Sequence, residues 1–391
     1  MSRRRSPAGT EPVRATWAAR STERAGTPVP GGPTLAVSVA VPTAPQAATP
    51  TWAAERRGRG ERAMVAPARP VSYYGRPILK PPPWEPLIPA YFFFGGLAGA
   101  SAALAAGARA AGESPLERRA WAVSLGALGV SPPLLIADLG RPERFLNMLR
   151  VFKVTSPMSV GSWILAATSG AVAAAAASSW TGRLPAVGNG AAAAAGALGT
   201  LLATYTGGLL AHTAIPAWHE ARRELPFVFA GSAMASAGAA AVLLTPERHA
   251  RQARRVLATG AALEIAASRV MEHRLGDLAE PYRRGPSGRL ARAALAATAA
   301  GSVLAAPSGA SRTRAIAGSA LTLAGSACER LAVFEAGKAS ARDPSAVVAP
   351  QRRRVAARGG RCAPVGASGA RRRRAPRLRR GGGLERCLGG R

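Results

Sequence analysis

Cysteine and histidine are scarce. The chain of 391 residues has three cysteines, Cys328, Cys362 and Cys387, and none stands in the CxxC spacing that iron–sulfur clusters or zinc sites use. Its four histidines, His212, His219, His249 and His273, form no obvious mid-membrane axial pairs for stacked haems. That argues against a cytochrome b. No Gly-Lys-Ser/Thr phosphate loop or dinucleotide fingerprint occurs. Acidic residues are few: 20 Asp and Glu against 52 Lys and Arg, a formal net charge of +32. A cleavable signal peptide is missing too, because the first apolar stretch, "TLAVSVAVPTAP", is short, late and broken by proline. No haem or metal is expected in the chain itself.

Hydrophobic residues nevertheless make up 48% of the sequence, a pairing with high charge that requires the charge to be segregated. Residues 1–63 hold ten Arg against four Glu, and residues 351–391 hold fourteen Arg against one Glu. Between Pro86 and Cys328 the chain is dominated by Ala, Gly, Leu and Val. Eight apolar blocks can be drawn there, at roughly 86–111, 120–137, 158–180, 190–217, 225–245, 255–271, 290–306 and 314–328. Several reach the ~20 residues that span a bilayer as a helix, while the last three are shorter or more polar. A buried soluble bundle is the alternative. Trp84, Trp121, Trp163, Trp180 and Trp218 all fall near expected helix ends, where the ring favours the headgroup layer. The fold class expected is all-α: a polytopic membrane bundle of about eight transmembrane helices with disordered basic tails. Residues 1–70 read as a low-complexity leader, 71–350 as the membrane domain and 351–391 as an Arg-rich disordered tail. The run "RRRRAPRLRR" would attract phosphate, but no aromatic stacking platform accompanies it. It reads as a solvated charge run near membrane lipid, with no specific nucleic-acid partner.

Local patterns place some residues. Gly95, Gly99, Ala103 and Gly107 recur every four residues in the first block and make a smooth stripe for close helix packing. Between the second and third blocks, "LLIADLGRPERFLNMLRVFKVTSPMSVGSW" concentrates charge between two apolar stretches. Asp138 and Arg141 are three apart and are expected to pair on one helical turn, while Gly140 and Pro142 disfavour continuation. "RFLNMLR" then predicts a short interfacial helix with Phe145, Met148 and Leu149 on one side, leaving Arg144 and Arg150 free for headgroups or a partner. The segment reads either as an elbow orienting two helices or as a ligand or subunit interface.

The segments "YYGRPILKPPPW", "IPAYFFFGGLAGASAALAAGA", "LLIADLGRPERFLNMLRVFKVTSPMSVGSWIL", "TYTGGLLAHTAIPAWHEARRELPFVFAGSA", "ASRVMEHRLGDLAEPYRRG" and "GSACERLAVFEAGKASARDP" occur in the order seen in the polysulfide reductase NrfD family, which the chain resembles over about 71–352. The resemblance is to its actinobacterial members especially. The resemblance implies an eight-helix, multi-pass subunit of the cell membrane, without haem. Such a subunit exchanges electrons and protons with menaquinone or another quinone and docks a ferredoxin-like iron–sulfur subunit. The catalytic partner it implies is a molybdopterin oxidoreductase, a formate dehydrogenase-like enzyme among the options. The chain itself would then be quinone-reactive without holding the catalytic centre. A passive membrane anchor and a transporter are the other function classes. Family-like sequence begins shortly after Met64 and fades after "VVAPQRRR", so translation is expected to start at Met64 and the distal tail to be a frame error.

A quinone site needs an apolar slot with hydrogen-bonding groups at the carbonyl oxygens. In the fourth block Tyr205 and His212 are seven apart, two turns along one face, and Gly207 and Gly208 remove bulk beside them. Tyr205 matches the tyrosine of the family's YTG motif, which the resemblance implies lies at the quinone. His212 is either a further quinone contact or a packing or headgroup contact. The first block offers chiefly Tyr91 and Ser101 as polar contacts. In the sixth block Glu264 stands among apolar residues with Ser268 one turn on. A bare buried carboxylate is costly, so Glu264 reads as a proton relay or as a structural helix contact.

Overall fold

Proline and glycine set where the helices start and stop. The computed structural model describes residues 77–139, 141–307, 309 and 311–357, so the leader 1–70 and the tail beyond Ala357 lie outside the described residues. Within them the protein is an all-α membrane bundle. Its long helices are α1 (Leu87–Ala110), α2 (Ser114–Asp138), α3 (Pro157–Thr181), α4 (Pro185–Ala211), α5 (Leu225–Leu244), α6 (Arg251–Leu275), α7 (Gly285–Ala305) and α8 (Arg312–Arg342), followed by α9 (Ser345–Ala357). Helices α2, α3, α4, α5 and α7 each have proline in the first turn. There the missing N–H costs nothing and the fixed φ favours entry. Gly182, at φ 69°, ends α3 in the left-handed conformation that glycine adopts without strain.

Helices α1 to α4 pack as one group and α5 to α8 as another, joined where α1 and α4 meet α5 and where α1 meets α8. Both groups depend on glycine at their closest crossings. A Cβ on Gly99 of α1 would strike the carbonyl oxygen of Gly199 on α4 and lie 2.9 Å from the Ala203 nitrogen. Of the three glycines in the expected stripe this one alone meets a neighbouring helix: a Cβ on Gly107 has nothing within 4 Å, and one on Gly95 meets only Tyr91 of its own helix. In the second group Gly231 of α5 crosses α6 at Gly260, where a Cβ would lie 2.9 Å from the Gly260 carbonyl oxygen.

Among the described residues five helices, α1 to α5, are long and apolar enough to cross a membrane. That is fewer than the expected eight, although eight long helices are present at the eight blocks. The physical reason is charge: α6 and α8 carry Arg and Glu along their lengths, and α7 has Arg289 and Arg292 in its first half. Much of that charge is used inside the protein. Arg254 is buried and donates from Nη1 to the carbonyls of Ala305 and Pro307 at 2.7 and 2.8 Å, closing the end of α7. The tryptophans divide in the same way. Trp163 and Trp180 are exposed, as ring-at-interface placement predicts, whereas Trp121 and Trp218 are 0% exposed. Trp121 donates to Glu117 at 3.2 Å and Trp218 to the Val333 carbonyl at 2.7 Å. Those two serve the core and not the headgroup layer.

Candidate functional site

Three separate helices deliver polar side chains to one small pocket. Tyr91 comes from the first turns of α1, Asp138 from the last residue of α2 and Tyr205 from the second half of α4. All three line a pocket of about 70 Å³, whose walls include Trp84, Phe92, Leu135, Met148, Met158 and Leu209. Gly161 of α3 makes the geometry possible, since a Cβ there would collide with the Tyr205 ring at Cζ and the hydroxyl. Neither phenol has a hydrogen-bond partner among the described residues, and neither hydroxyl is sealed from the pocket. The roof is fixed from the connection between α4 and α5: Trp84 stacks on Trp218 with ring centroids 5.9 Å apart.

Asp138 is placed differently from its sequence reading. It makes no ion pair with Arg141; its Oδ1 accepts from the Glu85 backbone N–H at 3.2 Å. The helix stops at Asp138 and Arg141 is extended, with φ −133° and ψ 96°, so the two do not share a helical turn. Arg141 and Arg150 are exposed, while the Arg144 side chain lies outside the described residues. The expected interfacial helix is present as a turn over Pro142–Arg144 followed by Phe145–Met148. Phe145, Met148 and Leu149 are half-buried, and Met148 reaches the tyrosine pocket.

His212 is not brought to that pocket. It follows the last residue of α4 and its side chain is exposed. Seven residues do return it to the Tyr205 face, but at 1.5 Å per residue they carry it about 10 Å farther along the axis. Ser101 is buried with no partner for its hydroxyl. It lies ten residues from Tyr91, so the same arithmetic removes it from the site by about 15 Å.

Glu264 belongs to a second polar centre. It is 3% exposed on α6 and lines a cavity of about 340 Å³ with Ser268, Glu272, Tyr282, Arg292 and Glu329. The crossing at Gly231 and Gly260 brings α5 against the Glu264 backbone and holds that turn of α6 in place. Two residues of this centre escaped the sequence reading. Glu329 and Arg330 of α8 are buried, Arg330 to 1% exposure. The Arg330 guanidinium lies 3.8 Å over the Phe229 ring and donates from Nη2 to the Phe229 carbonyl at 2.8 Å. Gly96 of α1 leaves room for it, as a Cβ there would sit 3.1 Å from Nη2. Nε and Nη1 of Arg330 and Oε2 of Glu264 have no partner among the described residues. Groups of this kind in a buried site call for ordered water or a proton to exchange. The signal available in the sequence is the "CERLAVFE" segment, which runs on from Cys328, where the eighth apolar block ends, whereas α8 continues to Arg342.

No match was found among curated proteins. Residues 78–268 match the family model described as Polysulphide reductase, NrfD, a span running from the lead-in before α1 to Ser268 of α6 and shorter than the 71–352 of the resemblance. It holds Tyr91, Asp138, Tyr205 and Glu264 but not Glu329 or Arg330. Over residues 78–268 the chain belongs to the NrfD family, whose members are membrane subunits of quinone-linked oxidoreductase complexes.

Proposed function

We propose that this chain passes electrons and protons between a quinone pool, menaquinone or another quinone, and an iron–sulfur partner subunit. The observation that carries the reading is the convergence of Tyr91, Asp138 and Tyr205 on one apolar pocket. The residues fit the chemistry. A phenol donates to a quinone carbonyl oxygen, and a carboxylate accepts the proton of a quinol. Oxidation of a quinol releases two electrons and two protons, which a partner and the protein's own carboxyls must take up. A pocket of about 70 Å³ admits the edge of a ring. Met148 and Met158 line it, and methionine's unbranched, adaptable side chain lets such a pocket widen.

Glu264 is the second proton-exchanging group in this reading. It lies in a different cavity from the tyrosines, reached past Glu272, Tyr282 and Arg292. Partner docking is assigned to the elbow beside the tyrosine pocket, where Leu146, Val151, Phe152 and Val154 are all more than half exposed. An apolar group of that size at a membrane edge suits a subunit contact. A molybdopterin oxidoreductase would complete the complex beyond that iron–sulfur subunit.

Tyr205→Phe tests the proposal, because it keeps the ring that Gly161 accommodates and removes only the hydroxyl. Quinol-dependent electron transfer by the assembled complex is expected to fall about two- to ten-fold, the kinetic equivalent of one hydrogen bond. Artificial-donor activity of the catalytic subunit and the abundance of this chain stay unchanged. Normal quinol turnover in a combined Tyr205→Phe and Asp138→Asn protein would leave the chain as a passive anchor.

A further inference from the structure

At the end of the bundle opposite the tyrosine pocket, the first turns of α2, the last turn of α3 and the connection between α5 and α6 border a shallow, open basic pocket of about 740 Å³. It is lined by Arg118, Arg119, Arg248 and His249, with Trp180 at its side. None of the three guanidiniums pairs with a carboxylate among the described residues. Their positions are nonetheless fixed. Arg118 donates to the carbonyls of Ser179 and Trp180 at 3.3 and 3.0 Å, and Arg119 to the Pro115 carbonyl at 2.7 Å. Arg248 donates from Nε to His249 Nε2 at 3.1 Å. Each guanidinium keeps N–H groups free for an anion.

The nearby carboxylates do not fill that role. Glu117 is turned inward to Arg109 at 2.8 Å. Glu113 faces His249 Nδ1 at 3.6 Å, and Glu247 is exposed in the α5–α6 connection. Just below the arginines, the walls are membrane-facing: Ala122 of α2 and Ala177 of α3 are exposed on helices long and apolar enough to span. Trp180 is 44% exposed, and its indole donates to the Arg118 carbonyl at 3.4 Å, which sets the ring at the level of the arginines. A tryptophan so placed marks the headgroup layer.

We propose that this corner binds the phosphodiester of an anionic phospholipid, with its acyl chains descending along the exposed faces of α2 and α3. A free phosphate would use the same guanidiniums but none of the apolar wall. The inference rests on the chain being membrane-embedded and is independent of the quinone reading.

The test uses the full chain, in its complex where it has one, in phosphatidylcholine nanodiscs with and without phosphatidylglycerol. The readouts are the melting temperature and the lipid retained in native mass spectrometry. Phosphatidylglycerol is expected to raise the melting temperature and to be retained preferentially. Arg118→Gln, Arg119→Gln and Arg248→Gln together should abolish both effects, retention weakening about five-fold for each arginine removed. Arg222→Gln with Arg223→Gln, at the other end, keeps the full response. If the triple variant fails to accumulate, Arg248→Gln alone is read in the same way, since that guanidinium bonds only its neighbour His249. An equal response in variant and wild type, or a rise reproduced by inorganic phosphate in phosphatidylcholine discs, overturns the proposal.

Discussion

The two helix groups solve the same packing problem with opposite materials. In α1 to α4 the interior is mainly Ala, Gly, Leu and aromatic rings with buried serine and threonine hydroxyls; its buried carboxylate, Glu117, is paired with Arg109, and the two phenols and Asp138 of the tyrosine pocket gather at the other end. In α5 to α8 the interior includes Glu264, Glu329, Arg330 and Arg254, each buried well inside the protein. Burying charge is expensive unless it is neutralised or hydrogen-bonded. Arg254 meets that condition by closing α7, which is a structural use. Glu264 and Arg330 do not meet it fully, since each keeps unpartnered atoms among the described residues. The first group therefore has the features of a ligand slot and the second those of a wet, charge-bearing interior. Shared glycine crossings hold both, so substitutions can separate packing from chemistry.

The largest effect is expected from packing. Gly99→Val places a branched side chain against the backbone of Gly199 and Ala203, where no rotamer change gives relief. Overpacking typically costs ~1–3 kcal/mol, and a backbone collision belongs at or above the top of that range. The variant should fail to accumulate in membranes by immunoblot. Gly107→Val, on the same stripe but with open space around it, should accumulate normally. Equal loss of both would mean that the whole stripe packs.

Next comes the charge-bearing group. Glu264→Gln keeps the shape and removes the exchangeable carboxyl, so abundance should hold while quinol-linked turnover falls at least ~10-fold, since positioned proton-transfer groups contribute about 10²–10⁴. Glu329→Gln lines the same cavity and should act in the same direction. If both variants turn over quinol normally while losing abundance, the second group's charges are structural, as Arg254's is, and the contrast between the two groups disappears.

The contrast also explains what could be read in advance. Apolar runs ended by proline or glycine locate α1, α3 and α5 closely, the block 158–180 standing at Pro157–Thr181 and 225–245 at Leu225–Leu244, while α2 and α4 start five to six residues before their blocks and α4 ends six residues early. In the second group the blocks 255–271 and 314–328 grew to Arg251–Leu275 and Arg312–Arg342. Hydropathy ends a run at a charged residue, and here those residues lie within the helices, some buried. Tyr205 was legible through its match to the family's YTG motif and Tyr91 as one of the few polar side chains of the first block, and the two line one pocket. Asp138 was assigned to Arg141 by spacing alone, which holds only while the helix continues. Its place beside the tyrosines depends on where α2 stops, a tertiary fact.

A smaller effect sharpens the ligand-slot side. Gly161→Ala introduces one methyl group where the Tyr205 ring lies, and the ring rather than the backbone must move. Quinol turnover should drop by a few-fold, similar to the ~0.5–1.5 kcal/mol of a lost hydrogen bond, with partner retention and abundance unchanged. Combined with Tyr205→Phe, it should add little, because both act through the same phenol. Additive losses would place a second function on Gly161.

The smallest effect belongs to the elbow, which lies at the slot's edge and carries Arg144 and Arg150 among its charges. Arg150 is exposed, and so are Leu146, Val151, Phe152 and Val154 around it. In a surface of that kind the apolar side chains supply most of the association and the charges mainly steer it. An exposed ion pair contributes ~0.2–1 kcal/mol, so reversing Arg144 and Arg150 to Glu should lower co-purification of an iron–sulfur subunit by a few-fold and more strongly at low salt. The chain itself should remain in the membrane, since neither change touches the apolar helices. Leu146→Asp with Phe152→Asp should release the partner more completely than the charge reversal. Partner recovery unchanged by all four substitutions would assign the elbow to lipid headgroups and move the docking surface elsewhere on the tyrosine end of the bundle.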